Sequence, residues 1–513
     1  MGNVMINGHN TRCNWWKVLC LTALFLSMAI GGLLVSRFLV DEPVRYADDE
    51  DHFKYGSLGG EREAGFPYWI WKALPRVCAA HLPDGQRYPG QEYKALGFIY
   101  EGEKPLPVGM SMRRYTGVDR VFLNCASCHA STVRETPASE PRVYTGMPAH
   151  RLNLMAFERF LFDCAKSATF TPDLIVPAIQ ELGGNLSYFD QFVVYPVAVH
   201  LMRARLVALD QRLSFMLNKG PEREWGPGRV DTWAFGKALL NFRMDLAPER
   251  EHIGVADFPS IWLQKPRQGM QLHWDGNNTS VEERNRSAAF GTGATPPTLD
   301  RVAMKRLEDW LLRREPPAYP FLVDTNLAAK GAPIYKQYCS RCHGVSGRNF
   351  DGELVGTVLP IGEIKTDRHK LDSYTGELAV NQNLLYAGTN DPTERFSHFR
   401  KTNGYANMPL DGIWLRAPYL HNGSVQTLRD LLEPRSKRPT KFYRGYDVYD
   451  QQRVGFVSTV SEERGQQFFL FDTTDGKGHS QPGNGHDGHE GARYGTELSD
   501  ADKAALVEYL KTF

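Results

Sequence analysis

Two short stretches, Cys125-Ala126-Ser127-Cys128-His129 and Cys339-Ser340-Arg341-Cys342-His343, decide how the chain is read. Two cysteines three positions apart on one turn can form thioethers to both vinyl groups of a single porphyrin. The histidine that follows then lies under the iron and donates an imidazole nitrogen. A zinc site would need two further Cys or His ligands at suitable spacing, and neither motif has them nearby. A thioredoxin-type redox pair would not need the trailing histidine twice. The chain is therefore expected to hold two covalently bound haem c groups. One would sit on Cys125, Cys128 and His129, the other on Cys339, Cys342 and His343.

A chain of 513 residues is too long for one compact core, and two domains with an N-terminal extension are the natural expectation. Hydrophobic residues make up 42% and aromatics 12%, enough for real cores and for flat walls against a cofactor. The 60 lysines and arginines nearly cancel the 59 acids, and no basic run stands out, so nucleic acid is not an expected partner. Of the eight cysteines, four lie in the two motifs and Cys13 and Cys20 lie in or beside an apolar leader. Cys78 and Cys164 remain, either as a disulfide in an oxidising compartment or as two buried thiols.

Val18 to Ser36 is a run of 19 uncharged residues, long enough to cross a bilayer core as a helix. Arg12 and Lys17 precede it, and Asp41, Glu42, Asp48, Asp49, Glu50 and Asp51 follow. The positive-inside rule then leaves the N-terminus in the cytoplasm and carries the rest across. A cleaved signal peptide is the alternative. The run is longer than a usual signal core, and an uncleaved anchor is favoured. The expected location is the inner membrane, single-pass, with the haem domains in the periplasm.

The expected fold is mainly α, with two cytochrome c-like haem domains carrying long loops and insertions. The expected order is an anchor over 1–40, a polar linker over 41–66, an N-terminal haem c domain with an insertion over 67–300, and a C-terminal cytochrome c domain over 301–513. Leu152, Leu154, Met155, Phe157, Phe160 and Leu161 fall at helical spacing. Arg301 to Arg314 reads as an amphipathic helix stopped by Glu315-Pro316-Pro317. Leu327 to Tyr338 reads as a helix running into Cys339. Ser499 can cap a last helix with Asp502 three residues on, and Leu506, Tyr509, Leu510 and Phe513 share one face. A helix before the haem cysteines and one at the chain end is the arrangement of a small cytochrome c domain.

Three further stretches carry a resemblance. Leu272-His273-Trp274-Asp275-Gly276, continuing Val281-Glu282-Glu283-Arg284, resembles a stretch of the bacterial di-haem cytochrome c peroxidases and MauG-type enzymes. Arg416-Ala417-Pro418-Tyr419-Leu420-His421-Asn422-Gly423-Ser424-Val425 resembles another stretch of that superfamily. Gly483-Asn484-Gly485-His486-Asp487-Gly488-His489-Glu490 is similar to the glycine-rich close of the rubber-oxygenase-like (RoxA-like) branch. The resemblance spans most of the chain from Pro67 to Phe513.

For the second haem the resemblance implies His489 as distal ligand. Met408, in Asn407-Met408-Pro409, is the alternative, at the spacing from His343 expected of a methionine-ligated cytochrome c. His421 ranks third. For the first haem no ligand stands out: His150 and His200 read as ordinary core or surface histidines, and an open face is the working expectation. The peroxidases carry a distal glutamate twenty residues after their Trp, a position that falls here on Ala294. A carboxylate there would move the proton that O–O heterolysis needs. The resemblance implies instead an apolar pocket lined by Phe290, with Trp274 between the haems.

Two functions compete, with a haem-based redox sensor or assembly factor as a distant third. One is a membrane-anchored di-haem oxidoreductase that activates dioxygen or hydrogen peroxide at the first haem, with the second as electron-transfer centre and an unidentified electron-transfer protein as partner. The other is a non-enzymatic di-haem electron carrier.

Overall fold

The computed structural model describes residues 15–217 and 223–513; Arg12 and Cys13 lie outside them. Trp15–Leu39 forms one helix with no buried residue among those described, and Phe38 near its end rests on Gly117. In length and composition it suits a membrane anchor or a signal sequence.

Residues 41–66, expected to be a linker, are instead folded into the body. Asp41–Pro43 pairs antiparallel with Met110–Tyr115, and Phe66–Pro67 pairs with Val118–Leu123, giving a four-stranded sheet. Between them, helix Asp49–Tyr55 buries Phe53 and Tyr55. The polar composition misled because its charges are partnered. Arg113, 1% exposed, bonds Asp41, Ser57 and Asp300. The central hairpin turns on Thr116-Gly117, both at positive φ, as a two-residue turn matched to strand twist requires.

This sheet leads straight into the first cysteine motif. Beneath it lies a core in which Trp71 stacks on Tyr93 at 4.5 Å and Phe98, Phe157 and Phe160 meet the Tyr93 ring edge-on. Helix Leu154–Lys166 turns Leu154, Met155, Phe157, Phe160 and Leu161 into that core, as their spacing dictates. A disulfide between Cys78 and Cys164, Cα atoms 5.5 Å apart, ties this helix to the end of helix Tyr68–Val77.

In the second half, helix Thr325–Tyr338 crosses helix Asp500–Leu510. Gly331 makes the crossing possible, because a Cβ there would collide with the Ala505 carbonyl. Ser499 caps the last helix by accepting from the Asp502 N–H at 3.1 Å. Leu506 and Leu510 are buried, and the rings of Tyr509 and Phe513 pack on Tyr335 at 5.5 and 4.8 Å.

The boundary expected at 300/301 divides the chain but not the packing. Ala126, Ala130, Trp233, Ala289 and Ala294 share one core with Leu307, Tyr374 and Phe399. The second half also reaches back onto the strand that leaves His129. Asp447 accepts from Thr132 and Arg134, both at 2.6 Å, and Arg134 also pairs with Glu463 at 2.7 Å. Helices dominate; apart from the four-stranded sheet, the strands are short isolated pairs.

Candidate functional site

Asn124 ends the sheet and caps the first motif, accepting the Ala126 N–H at 3.0 Å while its amide donates to Gly56 O at 3.1 Å. Cys125–His129 then forms a single helical turn. Gly109 lies so close to Ser127 that no side chain would fit there. Cys125 and Cys128 carry free, half-buried thiols that have not paired with each other. His129 Nδ1 meets Pro259 O at 2.8 Å. A carbonyl only accepts, so Nδ1 carries the proton and Nε2 keeps its lone pair. Burial pushes the His129 pKa down to about 4, so the ring is neutral at pH 7.

The second motif repeats this geometry. Helix Thr325–Tyr338 delivers Cys339, and His343 Nδ1 donates to Met408 O at 2.7 Å. Burial again lowers the His343 pKa. Facing it stands His489, ring centroids 6.4 Å apart. Two imidazoles on opposite sides of one metal, each about 2 Å from it through nitrogen, place their ring centres about 6 Å apart. His489 is held at φ 49° in its glycine-rich loop, with its N–H on Ile364 O at 2.9 Å. Buried Arg438 fixes that loop by donating to the carbonyls of His486, Gly488 and His489. Burial pushes the His489 pKa to about 3, and its Nδ1 is buried without a partner.

The structure sorts the other histidines. Met408 stands on the His343 side through its own carbonyl. His421 is engaged by Tyr405, ring on ring at 4.0 Å with Nε2 2.9 Å from the hydroxyl. His150 is buried against Phe456, with both ring nitrogens unpartnered. His200 is exposed. Among the described residues no second imidazole faces His129 as His489 faces His343.

Trp274 is tied to both histidine walls. Its indole N–H donates to Asp257 O at 2.8 Å, two residues before Pro259. Its own carbonyl accepts from Ala406 N at 2.8 Å, two residues before Met408. Helix Val281–Gly291 runs past the first motif, and Ala289 and Ala294 pack in one cluster with Ala126 and Ala130. Phe290 is half-buried beside Ala289.

Two charged residues near the first motif escaped sequence reasoning. Glu158 interrupts the apolar face of helix Leu154–Lys166 in Cys128's surroundings. Burial alone pushes its pKa up to about 8, and Oε2 has no partner. Arg284 lies in the surroundings of Cys125 and His129, and burial brings its pKa down to about 10. The one visible sign of Glu158 was an acid set between Phe157 and Phe160.

The features that fit haem here are paired thiols held on one turn, a neutral histidine oriented by a backbone carbonyl, and an opposed buried imidazole. They define a cytochrome c-like protein. The family described as "RoxA-like, cytochrome c-like" matches residues 404–444, the segment that supplies the Met408 carbonyl, His421 and Arg438. The uncharacterized protein y4iM of Sinorhizobium fredii is 31% identical over 325 residues, covering 56% of this chain and 72% of the relative. The uncharacterized protein y4iJ of the same organism is 30% identical over 254 residues, covering 38% of this chain and 41% of the relative. The chain belongs to this RoxA-like, cytochrome c-like family.

Proposed function

We propose that the protein is a membrane-anchored periplasmic di-haem c-type oxidoreductase. Its first site, on His129, would bind dioxygen or hydrogen peroxide, and its second, on His343 and His489, would pass electrons. The observation that carries this reading is the asymmetry between the two sites: His343 has an opposed imidazole and His129 has none among the described residues. Haem c supplies reversible one-electron chemistry and, where one axial position stays free, a place for a small oxidant.

The chain's own residues account for the rest. Pro259 O and Met408 O orient His129 and His343 and keep each Nε2 free for a metal. Arg438 holds the His489 loop in register. Ala126, Ala289 and Ala294 give the first site an apolar wall, with Phe290 as the proposed lining residue. Trp274 would shorten the path between the two sites. The apolar helix Trp15–Leu39 and the Cys78–Cys164 disulfide both suit a body outside the cytoplasm. The electron-transfer partner would be a separate protein.

Pyridine haemochrome titration with carbon monoxide binding tests the proposal on purified protein. Two haems per chain, one binding carbon monoxide rapidly, is the expected result. Two inert low-spin haems would make the protein an electron carrier.

A further inference from the structure

The uncharged run of the first helix ends at Ser36, one residue before Arg37. If that helix is the anchor proposed above, Arg37 sits where hydrocarbon gives way to headgroups. Arg37 is not free there. Its guanidinium donates to Gly117 O at 3.0 Å and pairs with Asp190. It also lies 5.9 Å from the Phe189 ring centre. Phe38 covers Gly117, where any side chain would strike its ring. The body is thus fastened to the anchor at the level of the membrane surface, through the turn at 116–117 and the start of the next long helix.

That helix start is bare and apolar. Tyr188 is 83% exposed, Phe192 68%, Val197 53% and Leu201 67%. Val193 is exposed as well, and from Tyr188 to Leu201 the only polar exposed residue is His200. The spacing of four, five and four suits the local backbone. Asp190–Val194 is a π turn, which takes one extra residue, so the stripe stays on one side. Leu174, on the neighbouring helix Pro172–Glu181, is also exposed.

We propose that the stripe Tyr188, Phe192, Val197 and Leu201 is a second membrane contact, lying in the headgroup–acyl boundary beside the anchor and fixing how the body sits on the bilayer. The inference rests on the anchor reading. Its occupant is lipid because Arg37–Asp190 puts the start of the stripe, Tyr188 and Phe192, within a turn of the helix's exit from the membrane, and Val197 and Leu201 continue the same side. Side chains with an aromatic or aliphatic body and little charge are the ones that rest at that depth.

The test uses the full chain in phosphatidylcholine–phosphatidylglycerol vesicles containing a diazirine-bearing phospholipid, with labelled peptides mapped by mass spectrometry after irradiation. Label on both 15–39 and 188–201, and none around Leu246, an exposed leucine elsewhere, is the expected result. The double variant Phe192→Asp, Val197→Asp should lose most of the label on 188–201 and keep that on 15–39. Label on 15–39 alone would overturn the inference and leave the anchor standing. Label on neither would remove the anchor reading and the inference together. Label around Leu246 as strong as on 188–201 would mean unspecific partitioning and would also overturn it. If 188–201 stays unlabelled and benzoylphenylalanine at position 192 cross-links two copies, the stripe is a self-association surface instead.

Discussion

His343 and His489 face each other with ring centroids 6.4 Å apart, and each ring is neutral because burial pushes its pKa down. One imidazole comes from the short helix Ser340–His343 and the other from the loop that Arg438 ties down. The pair therefore exists only when the two ends of the second half close on each other. His489→Ala should turn the second haem high-spin in electron paramagnetic resonance. Met408→Ala should leave the spectrum nearly unchanged, because Met408 meets His343 through its backbone carbonyl, which alanine retains. The reverse outcome would give the axial position to Met408.

Both cysteine motifs present free thiols next to an oriented histidine, so the denatured protein should weigh two haems more than its polypeptide. Mass spectrometry reads this directly. Cys125→Ala and Cys342→Ala should each weaken or lose one attachment. A single haem in the wild type would end the di-haem reading.

Trp274 links the backbone at Asp257 to that at Ala406, each two residues from a carbonyl that orients His129 or His343. Trp274→Ala should slow electron equilibration between the haems strongly, as seen by flash photolysis, with both haem contents normal. Loss of haem or of folding in the variant would make Trp274 a core aromatic only.

Ala294 packs with Ala289 and Ala126 where the resemblance implies a glutamate elsewhere in the superfamily. Hydrogen peroxide turnover should be poor in the wild type, and Ala294→Glu should raise it. The reduced protein should still bind dioxygen or carbon monoxide, which needs no proton donor. Brisk wild-type turnover that falls in Glu158→Gln would assign the proton relay to Glu158, the half-buried carboxyl near Cys128 whose Oε2 has no partner.

Asp447 joins the halves. Its side chain is 4% exposed and accepts from Thr132, Arg134 and Arg151. Burial pushes its carboxyl pKa up, but Arg151, Thr132 and Arg134 outweigh that and hold it below the ordinary value. A carboxyl with a lowered folded pKa contributes stability above its unfolded value near ~3.9, and that contribution is lost as pH falls through the folded value. Asp447→Ala should therefore cost about 1–3 kcal/mol at pH 7, because Thr132, Arg134 and Arg151 lose a buried acceptor while Arg134 keeps Glu463. The deficit relative to wild type should shrink below about pH 4. Urea melts at pH 7 and pH 3 measure both.

Whatever depends on neighbours in the chain was legible in the sequence. Each cysteine–histidine motif lies within five residues, the N-terminal helix is one uninterrupted apolar run, and the terminal helices announce themselves by capping and by 3.6-residue spacing. Residues 41–66 were misread because polar composition marks a linker only when its charges stay solvated, and Arg113 takes Asp41 into the fold. The tertiary structure alone decided that His489 rather than His421 stands opposite His343, since each is a histidine in a turn-rich stretch and only packing against Tyr405 engages the latter. It alone tied Trp274 to the backbone at Asp257 and at Ala406 and left Glu158 Oε2 without a partner. Those relations join segments distant in the chain, and their energy comes from which surfaces close together, a quantity no local pattern of residues encodes.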